Sequence, residues 1–204
     1  MTTTELYGVM LCHGYNHTPW QIKFPQIPDH VRWILVDGDP HAGADIMINF
    51  HDTDKMISTF GMRSQDYVVS AGCPIFDVNK MLYSVNAVLK EGGEFLLISG
   101  IKLFISALNV TTLRMNAGLS LDNVNDPVAH ARFTDLFNFI WRLGVYPPQF
   151  LPLTIPERQL YSLYHYQDPI LMKYINEVAN AMAYVGRFSS WSIAPGSLDV
   201  HFFV

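Results

Sequence analysis

The chain has 204 residues, 50% of them apolar and 15% charged, with a formal net charge of −5. That much apolar material builds one core and excludes a disordered chain, because burial offsets the entropy lost on ordering. The 13 Lys and Arg are scattered among 18 Asp and Glu, which excludes the basic patch of a nucleic-acid partner. No apolar run is long enough to span a membrane, and Met1–Glu5 lacks the basic and apolar regions of a signal peptide. The expectation is therefore a cytoplasmic, intracellular protein with no membrane partner. Cys12 and Cys73 form no CxxC or paired framework and are expected to be free thiols.

In chain order, the first predicted strand runs into the loop Val9–His17, where Gly14 is the lone glycine. Thr18-Pro19 can open a helix after it, but Pro25 and Pro28 leave room for only a turn or two. Four short apolar runs follow: Trp33–Val36, Asp45–Ile48, Tyr67–Val69 and Phe95–Ile98. None alternates, as strands buried on both faces require. Between the last two, Asp77–Lys90 carries Met81, Leu82, Val85, Val88 and Leu89 at helical spacing, and the helix closes on Lys90-Glu91-Gly92-Gly93. Strand, helix, strand predicts a parallel pair joined by a right-handed crossover.

Lys102–Asn125 shows no readable period. Asp126-Pro127 opens a helix that closes at Gly144, with Phe133, Leu136, Phe137 and Ile140 on one face. Pro147-Pro148 and Pro152 mark irregular structure, and a shorter helix is expected over Pro156–Tyr166. The clearest helix runs from Asp168-Pro169 to Gly186, with Leu171, Tyr174, Ile175, Val178, Met182 and Val185 facing inward. After a Pro195-Gly196 turn, Leu198–Val204 alternates as a strand packed on one face, which leaves Phe202-Phe203 exposed and predicts a homo-oligomer. The expected fold is α/β: a Rossmann-like open, mainly parallel sheet flanked by helices, with an added helical portion and a final strand. Residues 1–204 form one domain, in which 31–100 are a nucleotide-binding half-sheet and 126–186 are mostly helical.

His13, His17, Asp37, Asp39, His41, His51 and Asp52 are metal-ligand types, but nothing in their spacing fixes them in one shell. Gly14 and Asn16 make the HxxxH pair a loop, so no metal site is expected.

Leu35-Val-Asp37, Ala44-Asp45-Ile46, His51-Asp52 and the run V-L-K-E-G-G-E-F-L-L-I at 88–98 come in the order and spacing of a known pattern. They resemble the middle of class I S-adenosylmethionine-dependent methyltransferases, with their L-D-x-D-P, P-D-I-V-x-D and V-L-K-P-G-G segments. The likeness covers about a third of the chain. It implies S-adenosylmethionine as cofactor, with Asp37 on the ribose hydroxyls and Gly38 letting the ligand approach. Asp52 would lie near the adenine amino group, Gly14 beside the methionine part, and Gly72 in the loop Ala71–Phe76 that faces the methyl donor and substrate. From the residues alone, Asp37 is equally placed to cap the turn after it and Asp52 to cap the helix after it. The chain departs from the family where Gly14 stands alone, and where Cys73-Pro74-Ile75-Phe76 lacks the amide or acid of amino-methyltransferases. No catalytic residue is assigned. Two functions follow: a divergent methyltransferase-like protein with weakened or lost S-adenosylmethionine binding, acting on a small molecule or protein, or a non-catalytic scaffold that keeps only the fold.

Overall fold

The computed structural model describes residues 5–12, 27–71, 78–105 and 157–204. The Asp126–Gly144 helix, Gly14, Gly72 and Cys73 of the sequence reading lie outside them. The strands are β1 (Leu6–Leu11), β2 (Val31–Asp37), β3 (Ile46–Met47), β4 (Gln65–Ala71), β5 (Leu89–Ile98), β6 (Ser190–Ile193) and β7 (Val200–Phe203). They form one seven-stranded sheet in the order β3-β2-β1-β4-β5-β7-β6. β1 to β5 pair in parallel, while β7 runs antiparallel to both β5 and β6. This is a Rossmann-like α/β sheet.

Period-two alternation sorts the strand residues onto two apolar faces. Val9, Leu11, Val36, Val68, Phe95 and Leu97 belong to the larger core, which also takes Met81, Leu82 and Val85 from α2 (Val78–Val88). Met10, Leu35, Val69 and Leu96 point the other way into a smaller cluster with Ile27 and Val31. α1 (Thr53–Phe60) packs on α2, where Thr53 Oγ1 and Ser84 Oγ share a hydrogen bond of 2.8 Å. Residues 100–105 are helical and bring Ile101, Phe104 and Ile105 into the larger core.

The expected helix over 156–166 is α3 (Glu157–His165), and that over 169–186 is α4 (Pro169–Gly186). Asp168 caps α4, its Oδ1 accepting from Ile170 N and Leu171 N, and Pro169 occupies the first turn, where a missing N–H costs nothing. The helix ends at Gly186 as expected, and Arg187 after it takes the left-handed conformation with φ 57°. Gly186 is needed for space: a Cβ there would lie 2.3 Å from Phe188 Cε2.

Two expectations are corrected. α2 ends at Val88, and Lys90-Glu91-Gly92-Gly93 lies within β5 rather than closing the helix. The β4 ladder shifts there, passing from Gln65↔Leu89 to Tyr67↔Glu94, so these residues form an irregularity in the strand, with Gly92 at φ 76°. β7 is not packed on one face but sits inside the sheet, and Phe202 is fully buried. The exposed Phe202-Phe203 pair that pointed to self-association does not exist. β6, which the sequence reading missed, is the edge strand beyond it, with Ser190 and Ser192 outward. Among the described residues no helix is long and apolar enough to cross a membrane.

Candidate functional site at the carboxyl edge of the sheet

In the order β3-β2-β1-β4-β5 the chain works outward in both directions from β1 and β4, so the strand order reverses between them. Loops leaving the carboxyl ends of two such strands diverge onto opposite faces and open a crevice, where open α/β sheets bind their ligands. A cleft of about 410 Å³ lies on this edge, lined by Cys12 after β1, Asp37, Gly38 and Asp39 after β2, and Ile48–His51 after β3. Its size is within the range of small-molecule sites.

Backbone hydrogen bonds shape the turn that presents Asp37. Ile48 N donates to Asp37 O at 3.0 Å, and Asp39 N donates to Asp37 Oδ1 at 2.9 Å. His41 N in turn donates to Asp39 Oδ1 at 2.8 Å. Two successive Asx-type turns therefore fold the chain sharply away from the strand end. Asp37 caps its own turn with one oxygen, while Oδ2 has no hydrogen-bond partner among the described residues. Just before β3, Asp45 fills a gap the two-residue strand leaves open, its Oδ2 accepting from Leu35 N at 2.8 Å.

Gly38 lies beside this carboxylate, and a Cβ on it would meet only Ile48 O, at 4.0 Å, among the described residues. No packing among the described residues takes up the room at Gly38. Asn49 carries another fixed side chain: its Oδ1 accepts from His51 N and His51 Nδ1, both at 3.0 Å. His51 is buried and lies against the Phe50 ring, with centroids 4.3 Å apart.

Of the five site residues expected from sequence, the structure brings Asp37 and Gly38 together in the cleft, and Gly14 and Gly72 fall outside the described residues. Asp52 is absent from the cleft lining. It caps α1, its Oδ1 accepting from Lys55 N at 3.0 Å and its carbonyl from Met56 N at 2.9 Å. Asn49 was missed. The signal was available, since an Asn two residues before His51 and three before a helix cap is a turn-forming position. The described lining carries two carboxylates and no Lys or Arg. Among the described residues no group of three or more His, Cys, Asp or Glu could hold a metal ion.

A second cleft lies between the α3–α4 connection and the β6–β7 turn, lined by Tyr164, His165, Gln167 and residues 193–198, and burial pushes the Tyr164 phenol upward. β2 and β7 are four strand spacings apart, roughly 19 Å. The two clefts are separate.

The sequence matches no protein-family model. Over 116 residues it is 31% identical to Uncharacterized protein L16 of Acanthamoeba polyphaga mimivirus, a stretch that covers 53% of this chain and 42% of that protein. Among solved structures it is similar to the CurJ carbon methyltransferase, with a TM-score of 0.47 at 10% identity, covering 100% of this chain and 49% of the other. It is also similar to phosphoethanolamine N-methyltransferase 2 of Haemonchus contortus, with a TM-score of 0.30 at 14% identity and the same coverages of 100% and 49%. The chain spans less than half the length of each of these proteins.

Proposed function

We propose that this protein binds S-adenosylmethionine in the carboxyl-edge cleft and is methyltransferase-like. The observation that carries the reading is Asp37: it ends β2, keeps one carboxylate oxygen uncommitted among the described residues, and stands next to a glycine whose missing side chain leaves open room. A carboxylate so placed suits the hydroxyls of a ribose. The charge of the described lining supports a cationic nucleoside over a dinucleotide, because a pyrophosphate beside Asp37 and Asp39 would meet like charge. The reversed β7 next to β5 also departs from the all-parallel dinucleotide-binding order.

When bound, S-adenosylmethionine supplies a methyl group already activated on a sulfonium. The residues of this chain would then contribute orientation: Asp37 holds the ribose, and the cleft walls fix the nucleoside so that an acceptor meets the methyl group in line. The substrate class is a small molecule or a protein. The second reading, a scaffold without cofactor, is favoured by Cys12, which places a side chain with a left-handed backbone (φ 54°) on the cleft at the end of β1.

Calorimetric titration with S-adenosylhomocysteine decides between them. Saturable binding that Asp37→Ala weakens by about a hundred-fold is expected, in line with losing a charge-assisted contact to the ribose. Absence of heat at millimolar ligand would leave the scaffold reading standing.

A further inference from the structure

The orientation of the Asn49 amide is set by chemistry rather than by choice. A backbone N–H can only donate, so the Asn49 atom 3.0 Å from His51 N must be the carbonyl oxygen. The same oxygen accepts from His51 Nδ1, which therefore carries the ring proton. With Oδ1 turned toward His51, the amide NH2 is turned away from it. That NH2 has no hydrogen-bond partner among the described residues, and Asn49 is exposed on the cleft it shares with Asp37 and Gly38.

We infer that Asn49 reads the base of the bound nucleoside, donating a hydrogen bond from its amide to a ring-nitrogen acceptor of the purine. This deepens the nucleoside-binding reading above and rests on it. The resemblance to methyltransferases pointed instead to Asp52 accepting from the adenine amino group, but Asp52 does not line the cleft and turns one oxygen to Lys55 N at the start of α1. The polarity of recognition is consequently reversed. A ring acceptor is read by a donor, and Asp52 does not read the exocyclic amine.

Three titrations on the intact chain test this. Asn49→Asp keeps an oxygen for His51 N and Nδ1 but replaces the donor by an acceptor; it should weaken S-adenosylhomocysteine by about ten-fold or more. Its melting temperature should stay within about 2 °C of the parent, since the Oδ1 bonds survive. Asp52→Asn should leave affinity unchanged. The purine-riboside analogue of S-adenosylhomocysteine, which lacks the 6-amino group but keeps every ring nitrogen, should bind within about three-fold of the parent ligand, a difference smaller than one lost hydrogen bond. Normal binding by Asn49→Asp, or failure of the amine-free analogue while S-adenosylhomocysteine binds, overturns the role of Asn49 and leaves the nucleoside site intact. No binding of S-adenosylhomocysteine to the wild-type chain overturns the site itself, and the role of Asn49 with it.

Discussion

Where Phe188 at the end of α4 meets Phe95 and Phe202 the structure fills its gaps, whereas the turns after β2 and β3 leave room that no side chain of the described residues takes. The contrast is sharpest at two glycines. At Gly186 a methyl group would run into the Phe188 ring, which itself stacks near Phe95 and Phe202. At Gly38 a methyl group would meet almost nothing among the described residues. The first glycine exists for packing; the second has no packing reason among the described residues, and a residue left small without one is where a ligand is to be sought. The acidic residues divide similarly. Asp168, Asp52 and Asp37 each commit one oxygen to a helix cap or a turn, but of the three it is Asp37 that lines the cleft.

The largest expected effect that tests this division is Gly186→Ala. Forcing a Cβ against a buried ring should cost about 3 kcal/mol, read by urea denaturation, with little change in ligand affinity once folded. Gly38→Val should do the reverse, leaving stability within about 0.5 kcal/mol and weakening S-adenosylhomocysteine by about ten-fold or more in calorimetry. A destabilised Gly38→Val protein with normal affinity would erase the distinction.

Alkaline unfolding sharpens the packed side of the comparison. Burial pushes the Tyr174 phenol well above its ordinary value near 10, and its hydroxyl has no hydrogen-bond partner among the described residues. In the unfolded chain that phenol ionises near pH 10, while the folded protein keeps it protonated. The folded state then binds more protons, so stability is intact below pH 10 and falls above it, by about 1.4 kcal/mol per pH unit. Urea midpoints measured up to about pH 11 should show this slope, and Tyr174→Phe should reduce it without lowering stability at neutral pH. The smallest effect is expected from Asp52→Ala: about 1 kcal/mol lost with the α1 cap, and unchanged ligand affinity.

Much of the architecture was legible because local and global signals agreed. Asp168-Pro169 with an apolar stripe can only start a helix, and Met81, Leu82, Val85 and Val88 are all fully buried as their spacing demands. The misreadings come from residues whose meaning depends on distant partners. Gly92-Gly93 looks like a helix stop, yet Gly92 N donates to Val204 O and Gly93 O accepts from Val204 N, contacts across the sheet that no local pattern reveals. Leu198–Val204 alternates like a half-exposed strand because His201 is polar, but His201 is buried and paired with Glu94 on the neighbouring strand. β6 escaped notice since Ser190 and Ser192 dilute a four-residue edge strand. In the cleft, Asp37 and Gly38 could be placed from the end of an apolar run. Asn49 could have been placed in a turn in the same way, but its amide orientation is set by contacts that only the folded turn creates.

The insertion of β7 between β5 and β6 has a consequence for synthesis. Leu97 finds its partner Val200 more than 100 residues later, and β6, although made first, reaches the sheet only through β7. On the ribosome the outer side of β5 therefore stays uncovered until that last ladder is translated, presenting Phe95, Leu96 and Leu97 as an open edge. A pause or truncation before residue 200 would release a nascent chain with a sticky strand, and quality control would meet this protein there first.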